Sequence, residues 1–224
     1  MRHALVTGSS SGIGAAIAGA LLQDGFAVTG FDRAPASISA PAFTPVAVAL
    51  DDAAATRAAL DRLGQVDALV HAAGVLRVAP LGALDDAAGT LMWQLHVDAA
   101  IRLADALAPG MPPGGRIVLI GSRAAQGAAG RSQYAASKAA LVGLARSWAK
   151  ELAPRNITVN VIAPAATDTP MLNDPERGSV TPVLPPIGRF VRPEEVAALA
   201  RFLISDDAAA ITGQQILVCG GASL

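Results

Sequence analysis

Three residues in the middle of the chain have the types and spacing needed to move a proton at a carbonyl or alcohol. Tyr134 and Lys138 are four positions apart, so on a helix they share one face. An isolated phenol has a pKa of about 10 and is a poor base near neutrality unless a cation such as Lys138 favours its anion. Ser122 would hydrogen-bond a substrate oxygen and hold it against the phenol. Taken singly, however, a helical Tyr/Lys pair usually decorates a surface, and a serine after a strand is usually a cap.

A glycine-rich turn near the N-terminus has the form of a phosphate-binding site. It follows the first predicted strand and begins the first predicted helix with the spacing G-x-x-x-G-x-G. In that context the glycines bring backbone amides and a helix N-terminus to a pyrophosphate. An ordinary tight turn is the alternative for such a motif taken alone. The predicted cofactor contacts here are Gly8, Ser10, Ser11, Gly12, Ile13 and Gly14.

Residues after the next strands bear on the choice of dinucleotide. Asp32 ends the second predicted strand, where a carboxylate accepts hydrogen bonds from the adenosine ribose and repels a 2′-phosphate, which favours NAD. Arg33 beside it favours NADP, since a guanidinium there would meet that phosphate; a solvated Asp-Arg turn is a third alternative. Asp51 is predicted to meet the adenine amino group, although acids also begin helices. Gly74 would let the backbone approach the cofactor, or form an ordinary turn.

The elements that must position these residues alternate along the chain. Strand-like apolar runs are Ala4–Thr7, Ala27–Phe31, Val46–Leu50, Ala68–His71, Arg116–Ile120, Thr158–Ile162 and Gln215–Val218. Helix-like segments are Gly12–Gly25, Ala53–Leu63, Ala87–Ala108, Gln133–Ala153 and Pro193–Ser205. Continuous apolar strands are typical of a parallel sheet with helices on both faces. We therefore predict an α/β fold: a single Rossmann-like, doubly wound domain over residues 1–224 with a seven-stranded, mostly parallel sheet. The proline-rich segment Ala165–Arg192 is predicted to be a loop that acts as a lid.

Composition argues against several classes of partner. The formal net charge is −1 and no run of Lys or Arg occurs, which disfavours nucleic acid. No apolar run approaches the ~20 residues that span a bilayer, and the N-terminus lacks the form of a signal peptide, so we expect no membrane association. Cys219 is the only cysteine, and no Cys/His group has the spacing of a zinc site. We expect no metal and a reducing cytoplasm.

Taken together and in order, these motifs resemble the short-chain dehydrogenase/reductase family over nearly the whole chain. The pieces beyond those above are Ala72-Ala73-Gly74, Asn160–Pro164, Pro186–Phe190, Pro193-Glu194-Glu195, Ile211–Gln214 and Gly220-Gly221. The resemblance implies that Tyr134 is the general acid/base, that Lys138 lowers its pKa and contacts the ribose, and that Ser122 orients the substrate. It further implies cofactor contacts from Leu50, Ala72, Ala73, Pro164, Ala165, Thr167 and Thr169, the last two at the nicotinamide carboxamide.

The chain departs from the family pattern at several positions. Histidines stand where the family usually has two asparagines, at His71 and at the proton-relay position that we assign to His96; a two-residue shift would put Asp98 there instead. A relay histidine would hold water and titrate near neutrality, whereas a packed, non-catalytic imidazole is the alternative. Ala165 replaces a frequent glycine and Cys219 a frequent aspartate. The family's adenine-binding acid aligns either with Asp51 or with Ala49.

The expected function is that of an NAD(H)-dependent oxidoreductase that interconverts a secondary alcohol and a ketone on a small substrate. The alternatives are an NADPH-dependent carbonyl reductase, and a dinucleotide-binding sensor that has lost catalysis. Arg77, Arg123 and Arg131 would anchor an anionic or polar substrate group, or are surface arginines. The loop Asp168–Arg192 is short for this family, which predicts an open substrate site or one closed by a partner subunit. The resemblance implies a homo-oligomer, either a dimer or a tetramer.

Overall fold

Strands and helices alternate along the chain and build one parallel sheet. The computed structural model describes residues 1–175 and 181–224. Within this part, the strands are β1 (His3–Thr7), β2 (Ala27–Asp32), β3 (Phe43–Ala47), β4 (Ala68–His71), β5 (Arg116–Ile120), β6 (Thr158–Pro164) and β7 (Gln215–Val218). The α-helices are α1 (Gly12–Gln23), α2 (Ala53–Leu60), α3 (Asp86–Trp93), α4 (Ala99–Leu107), α5 (Ser132–Leu152) and α6 (Pro193–Ile204). The strand order is β3-β2-β1-β4-β5-β6-β7 and every pairing is parallel, which confirms the predicted fold class.

Each face of the sheet carries its own hydrophobic core because successive strand residues point to opposite faces. On one face the strand residues Leu5, Leu69 and Leu119 share a buried cluster with Leu103 of α4 and Leu141 of α5. On the other face the buried cluster contains Val6, Val70, Ile120, Ile17 of α1 and Val196 of α6. The strands are thus apolar on both sides, which explains why they appear in the sequence as continuous apolar runs.

The third strand differs from its prediction. It runs over Phe43–Ala47 and pairs with β2 from Val28 to Asp32, whereas the apolar pattern predicted Val46–Leu50. The strand lies at the edge of the sheet, where Pro45 is tolerated because its missing N–H faces away from the ladder. Val48 and Leu50 are buried without belonging to the strand, so their apolar character misled the prediction.

The segment predicted as one helix over Ala87–Ala108 is interrupted. A π-helical turn over Gln94–Asp98 separates α3 from α4, and such turns occur often at functional sites. The other helix ends differ by a few residues: α1 stops at Gln23 and not at Gly25, and α2 stops at Leu60 and not at Leu63.

The long connection between β6 and α6 is only partly regular. A 3₁₀ turn covers Pro170–Asn173, and Thr167 forms a parallel bridge with Val191 that ties the two ends of the connection together. Residues 176–180 of the predicted lid lie outside the described residues. None of the helices in the described ranges is both long enough and apolar enough to cross a bilayer.

Candidate active site

A cavity of about 980 Å³ opens at the carboxyl ends of the strands. This edge is where doubly wound sheets bind ligands, and the volume suits a dinucleotide with a small substrate. Every predicted site residue except Ser10 lines the cavity: Gly8, Ser11, Gly12, Ile13, Gly14, Asp32, Arg33, Leu50, Asp51, Ala72, Ala73, Gly74, His96, Ser122, Tyr134, Lys138, Pro164, Ala165, Thr167 and Thr169. The fold therefore collects in one place residues that the sequence spreads from position 8 to position 169.

The glycine turn leaves amides for an anion at the start of α1. The N-cap residue Ser11 is extended and its side chain makes no capping hydrogen bond. Helix N-termini that lack a cap have free N–H groups and a positive dipole end, both of which suit a phosphate. Since Ser11, Gly12 and Ile13 also line the cavity, this end of the site fits the pyrophosphate of a dinucleotide.

Asp32 is held in a fixed orientation at the end of β2. Its Oδ2 accepts from the Ser10 amide at 2.9 Å and its Oδ1 from the Ala34 amide at 2.8 Å. Each carboxylate oxygen keeps a further lone pair that can accept from a ribose hydroxyl. Ser10 acts through Asp32 and does not line the cavity itself. Arg33 and Asp51 border the same region.

The three proposed catalytic residues line the same cavity. Lys138 Nζ donates to the Ile120 carbonyl at 2.9 Å and lies 5.9 Å from the centroid of the Tyr134 ring. Ser122 follows β5, and its Oγ accepts from the Ala124 amide at 3.1 Å. The serine is therefore both the cap of the following 3₁₀ turn and a cavity residue, and its hydroxyl hydrogen can still point at a ligand.

Burial dominates the electrostatics of Lys138. The side chain is 5% exposed, and desolvation lowers its pKa to about 7. Its ammonium is thus present at neutral pH but close to losing its proton. A phenolate that forms at Tyr134 favours the charged form of Lys138, and the ammonium in turn favours the phenolate.

Replacement of Lys138 by methionine is expected to stabilise the cofactor-free protein by about 2 to 4 kcal/mol at pH 7. In the unfolded chain the lysine stays protonated to about pH 10, whereas the folded protein loses this proton near pH 7, so unfolding free energy rises with pH between the two. Lys138→Met removes that rise. Denaturant unfolding from pH 7 to pH 10, with the exposed helix-mate Lys150→Met as control, measures both effects. Equal stability and an equal pH slope in wild type and Lys138→Met would contradict the assignment.

His96 is packed inside the site, on the π-helical turn. Its Nε2 accepts from the Val75 amide at 3.1 Å, which leaves Nδ1 as the protonated nitrogen that donates to Ser137 Oγ at 2.9 Å. The ring meets the Tyr134 ring edge-on at 5.6 Å between centroids. Of the two residues considered for the relay position, His96 lines the cavity and Asp98 does not.

The expectation that a relay histidine titrates near neutrality is corrected. Burial, followed by the charge of Lys138, lowers the pKa of His96 well below its usual value. Because both ring nitrogens are already hydrogen-bonded within the protein, the imidazole resembles the packed alternative more than a water-holding relay. Ser137 connects His96 to the backbone of Tyr134, since its hydroxyl donates to the Tyr134 carbonyl at 2.8 Å.

His71 ties three elements together below the site. Its Nε2 donates to the Leu95 carbonyl at 3.0 Å, while its Nδ1 accepts from Thr7 Oγ1 at 2.9 Å. Thr7 Oγ1 in turn accepts from the amides of Ala72 and Ala73, both at 3.1 Å. Burial, with a smaller contribution from Lys138, lowers the pKa of His71 to about 3, so the ring is a neutral structural link.

Two residues near the catalytic set were missed or only partly understood from the sequence. Ser137, within the Y-x-x-x-K segment, had no assigned role, although a polar residue three positions after Tyr134, on the same helix face, was a usable signal. Gly74 was expected to make room for the cofactor; a methyl group there would lie 2.7 Å from His96 Nε2, so the glycine also makes room for the histidine.

The residues predicted to contact the nicotinamide carboxamide lie in the segment after β6. Thr167 Oγ1 donates to the Ala165 carbonyl at 3.0 Å, and Thr169 Oγ1 donates to the Thr167 carbonyl at 3.3 Å. A Cβ on Gly12 would lie 3.1 Å from the Thr169 methyl, so this loop closes over the glycine turn. Across residues 1–175 and 181–224, no group of three or more His, Cys, Asp or Glu is arranged to hold a metal ion.

A doubly wound parallel sheet whose cavity combines a glycine turn with a serine, a tyrosine and a lysine is typical of dinucleotide-dependent α/β oxidoreductases. The chain belongs to the short-chain dehydrogenase/reductase family within that class, since the family model described as enoyl-(acyl carrier protein) reductase matches residues 8–223. It is an oxidoreductase of this family and uses a nicotinamide dinucleotide.

Relatives of known name support the assignment over the full length. The 3-oxoacyl-[acyl-carrier-protein] reductase FabG of Escherichia coli is 36% identical, with 97% of this chain and 96% of the relative covered. A short-chain dehydrogenase of Burkholderia cenocepacia, solved with NADP, superposes with a TM-score of 0.88 at 34% identity, over 100% of this chain and 98% of that one. The aldohexose dehydrogenase of Thermoplasma acidophilum gives a TM-score of 0.89 at 26% identity, over 99% and 94%.

Proposed function

We propose that the protein interconverts a secondary alcohol and a ketone on a small substrate, with NAD(H) as the cofactor. The observation that carries the proposal is the meeting of Ser122, Tyr134 and Lys138 in one cavity that also contains the glycine turn. Side chains of these three types supply a hydrogen bond to a carbonyl oxygen, a proton, and a charge that stabilises the deprotonated phenol.

In the direction of reduction, the Ser122 hydroxyl donates a hydrogen bond to the ketone oxygen and holds it against the phenol. Tyr134 transfers its proton to that oxygen as the carbon accepts a hydride, which a bound reduced nicotinamide supplies. The Lys138 ammonium, fixed by the Ile120 carbonyl, stabilises the phenolate that is left. His96, packed against the Tyr134 ring, limits the orientations available to the phenol.

Asp32 supports NAD(H) as the preferred cofactor. Its carboxylate is fixed by two amides, so it can accept a hydrogen bond that the ribose 2′-hydroxyl of NAD would donate, and it would repel a 2′-phosphate. The glycine turn itself adds no basic side chain, since Ser10 and Ser11 occupy its middle.

The Asp32→Asn variant is expected to lose about tenfold in affinity for NADH and to gain a similar factor for NADPH. The amide removes the charge that repels a 2′-phosphate, and its NH2 group also gives up one of the two backbone hydrogen bonds that Asp32 accepts. Fluorescence titration of both reduced cofactors measures the two dissociation constants. Asp61→Asn, at an exposed position after α2, is the matched control. A wild-type preference for NADPH that is unchanged in Asp32→Asn would contradict the assignment of NAD(H) and favour a second candidate function.

That second candidate is an NADPH-dependent carbonyl reductase. Arg33 lines the cavity beside Asp32, where its guanidinium would meet a 2′-phosphate. The similar Burkholderia protein is in complex with NADP, and a similar blue fluorescent protein from a metagenomic library, 32% identical, is in complex with NADPH. The name of the Escherichia coli relative adds 3-oxoacyl groups on a carrier protein as a substrate class to test.

The proposed function is tested by following NADH and NADPH absorbance with a panel of ketones, 3-oxoacyl thioesters and secondary alcohols. Turnover of at least one pair, lost in Tyr134→Phe, is the expected result. Equal inertness of wild type and Tyr134→Phe across the panel, with NADH still bound, would favour a dinucleotide-binding sensor. The homo-oligomer in a reducing cytoplasm stays a prediction, which light scattering in solution and fractionation of the source cells would test.

A further inference from the structure

The His96 side chain lies between the segment that follows β4 and helix α5, and it is bonded to both. Its Nε2 accepts from the Val75 amide at 3.1 Å, and Val75 lines the cavity together with the predicted cofactor contacts Ala72–Gly74. Its Nδ1 donates to Ser137 Oγ of α5 at 2.9 Å. The imidazole therefore connects a segment that is predicted to contact the cofactor with the helix that contains Tyr134.

The imidazole of His96 is held in one orientation. The residue is fully buried, and a methyl group on Gly74 would lie 2.7 Å from its Nε2 and 2.9 Å from its Cδ2, so the ring fills the space beside that glycine. A half-turn of the ring would put carbon atoms where the two nitrogens lie and would break both hydrogen bonds. Packing and hydrogen bonds thus fix the same ring position.

The held imidazole contacts the phenol ring of Tyr134. The two rings meet edge-on, with an interplanar angle of 86° and 5.6 Å between their centroids, which is a favourable geometry for an aromatic pair. The Ser137 hydroxyl, which accepts from His96, donates to the Tyr134 carbonyl at 2.8 Å. The imidazole is therefore bonded to the same helical turn whose phenol it contacts.

These contacts favour a positioning role for His96 over a role in proton transfer. Burial lowers the pKa of His96 well below its usual value, so the ring is neutral. Its one N–H group is donated to Ser137, and its one nitrogen lone pair accepts from the Val75 amide. A neutral ring with both nitrogens in use has neither a proton nor a lone pair to offer to a substrate.

We propose that His96 is a positioning residue that sets the place of the Tyr134 phenol relative to the segment Ala72–Val75, and thereby relative to the cofactor. The proposal rests on the proposed function and adds a residue to it. The carbonyl carbon accepts the hydride and its oxygen accepts the Tyr134 proton, so the proton donor and the cofactor must keep a fixed spacing. No bond of His96 itself is formed or broken in this step.

His96→Asn is expected to lower kcat about 10- to 100-fold, because a misplacement of about 1 Å between reacting groups has an effect of that size. The shorter asparagine side chain gives up the contact with the phenol ring. The KM for the ketone and the dissociation constant of NADH are expected to change by less than about threefold, since alignment is lost and not ground-state binding. Initial rates and NADH fluorescence titration measure the three constants.

Ser137→Ala tests the same role with a smaller change that keeps the helix, since alanine is a good helix former. It removes the hydrogen bond that Ser137 accepts from His96 and is expected to lower kcat about 3- to 10-fold, the effect of one hydrogen bond. Because Ser137 acts through the imidazole, the double variant is expected to lose no more than His96→Asn alone. Losses that multiply in the double variant would contradict this coupling.

Two controls match these variants in residue type. His3→Asn replaces a hydrogen-bonded histidine of β1 whose partners, the Gln65 carbonyl and the Thr29 hydroxyl, lie outside the cavity. Ser147→Ala removes a hydroxyl from an exposed position of α5. Both are expected to keep the wild-type kcat. A folded His96→Asn variant with the kcat of the wild type, or an equal loss in His3→Asn, would overturn the proposal.

The orientation of the phenol is also measured without any reaction. Tyr134 is the only tyrosine of the chain, so tyrosine labelled with a carbon isotope at its two Cδ atoms reports on this ring alone. Exchange between the two NMR signals gives the rate at which the ring flips. The rate is expected to rise about 3- to 10-fold in His96→Asn, the factor that corresponds to one aromatic pair, and to stay constant in His3→Asn. Equal flip rates in wild type and His96→Asn would reject the positioning role.

The two measurements separate this proposal from the proposed function. Faster ring flipping in His96→Asn, together with no turnover of any ketone by the wild type, would retain His96 as the residue that holds Tyr134 and reject the reaction. Turnover by the wild type, with kcat and flip rate both unchanged in His96→Asn, would retain the reaction and reject the role of His96.

Discussion

The Tyr134→Phe variant is expected to reduce ketones about a thousandfold more slowly than the wild type, within the range that a positioned general acid contributes. The change removes one oxygen and keeps the aromatic ring that packs edge-on against His96, so the fold and the cavity are retained. The loss should fall on kcat, because the proton is transferred only in the transition state. Initial rates of NADH consumption over a range of substrate concentrations measure it.

Two controls make this result specific. NADH affinity of Tyr134→Phe is expected to change by less than about tenfold, since at most one hydrogen bond to the cofactor is lost. Ser147→Ala deletes a hydroxyl at an exposed position of the same helix and is expected to leave kcat unchanged. A kcat of Tyr134→Phe close to that of the wild type would remove the phenol from the reaction.

The Gly14→Ala variant is expected to lose more than about 3 kcal/mol of stability, or not to fold, and to lose NADH binding. A Cβ at position 14 would lie 2.1 Å from the Gly8 carbonyl oxygen and 2.6 Å from its carbon. Both atoms are backbone in the glycine turn, so the clash can be relieved only by moving α1 away from β1. Thermal unfolding and NADH titration measure the two effects.

Gly19→Ala is the matched control on the same helix. A Cβ at position 19 has no heavy atom within 4 Å, so the added methyl group meets open space. The substitution is expected to stabilise the protein by about 0.5 to 1 kcal/mol, because alanine loses less backbone entropy than glycine in a helix. Equal stability of Gly14→Ala and Gly19→Ala would contradict the close approach of residue 14 to the Gly8 carbonyl.

The central elements of the fold were predictable because their burial leaves a direct trace in the sequence. The central strands Ala68–His71 and Arg116–Ile120 were predicted with the bounds that the structure has. The edge strand Gln215–Val218 was also predicted with its bounds, since it keeps a run of three apolar residues. The edge strand β3 was misplaced, since a strand with a single buried residue at Phe43 and a proline at its centre has no apolar pattern. The π-helical turn at Gln94–Asp98 also left no periodic signal, because its neighbours on both sides are helical.

The outline of the site was predictable for a different reason. Tyr134 and Lys138 are linked by helical periodicity, and the residues after each strand end must meet at one edge of a parallel sheet. The ionisation of the site was not predictable in this way. His96 was expected to titrate near neutrality. Its pKa depends on how completely the surrounding residues exclude water, and burial lowers this pKa well below its usual value.

By itself, the sequence determined which chemical groups the protein has and which of them are neighbours along a strand, a turn or a helix. The tertiary structure decided the contacts between elements: Lys138 with the Ile120 carbonyl, His96 with Ser137, and the Ala79 amide with the Gly130 carbonyl. Backbone periodicity fixes local neighbours, whereas these contacts depend on how closely the helices pack on the sheet. That packing also sets the desolvation that lowers the pKa of Lys138 to about 7.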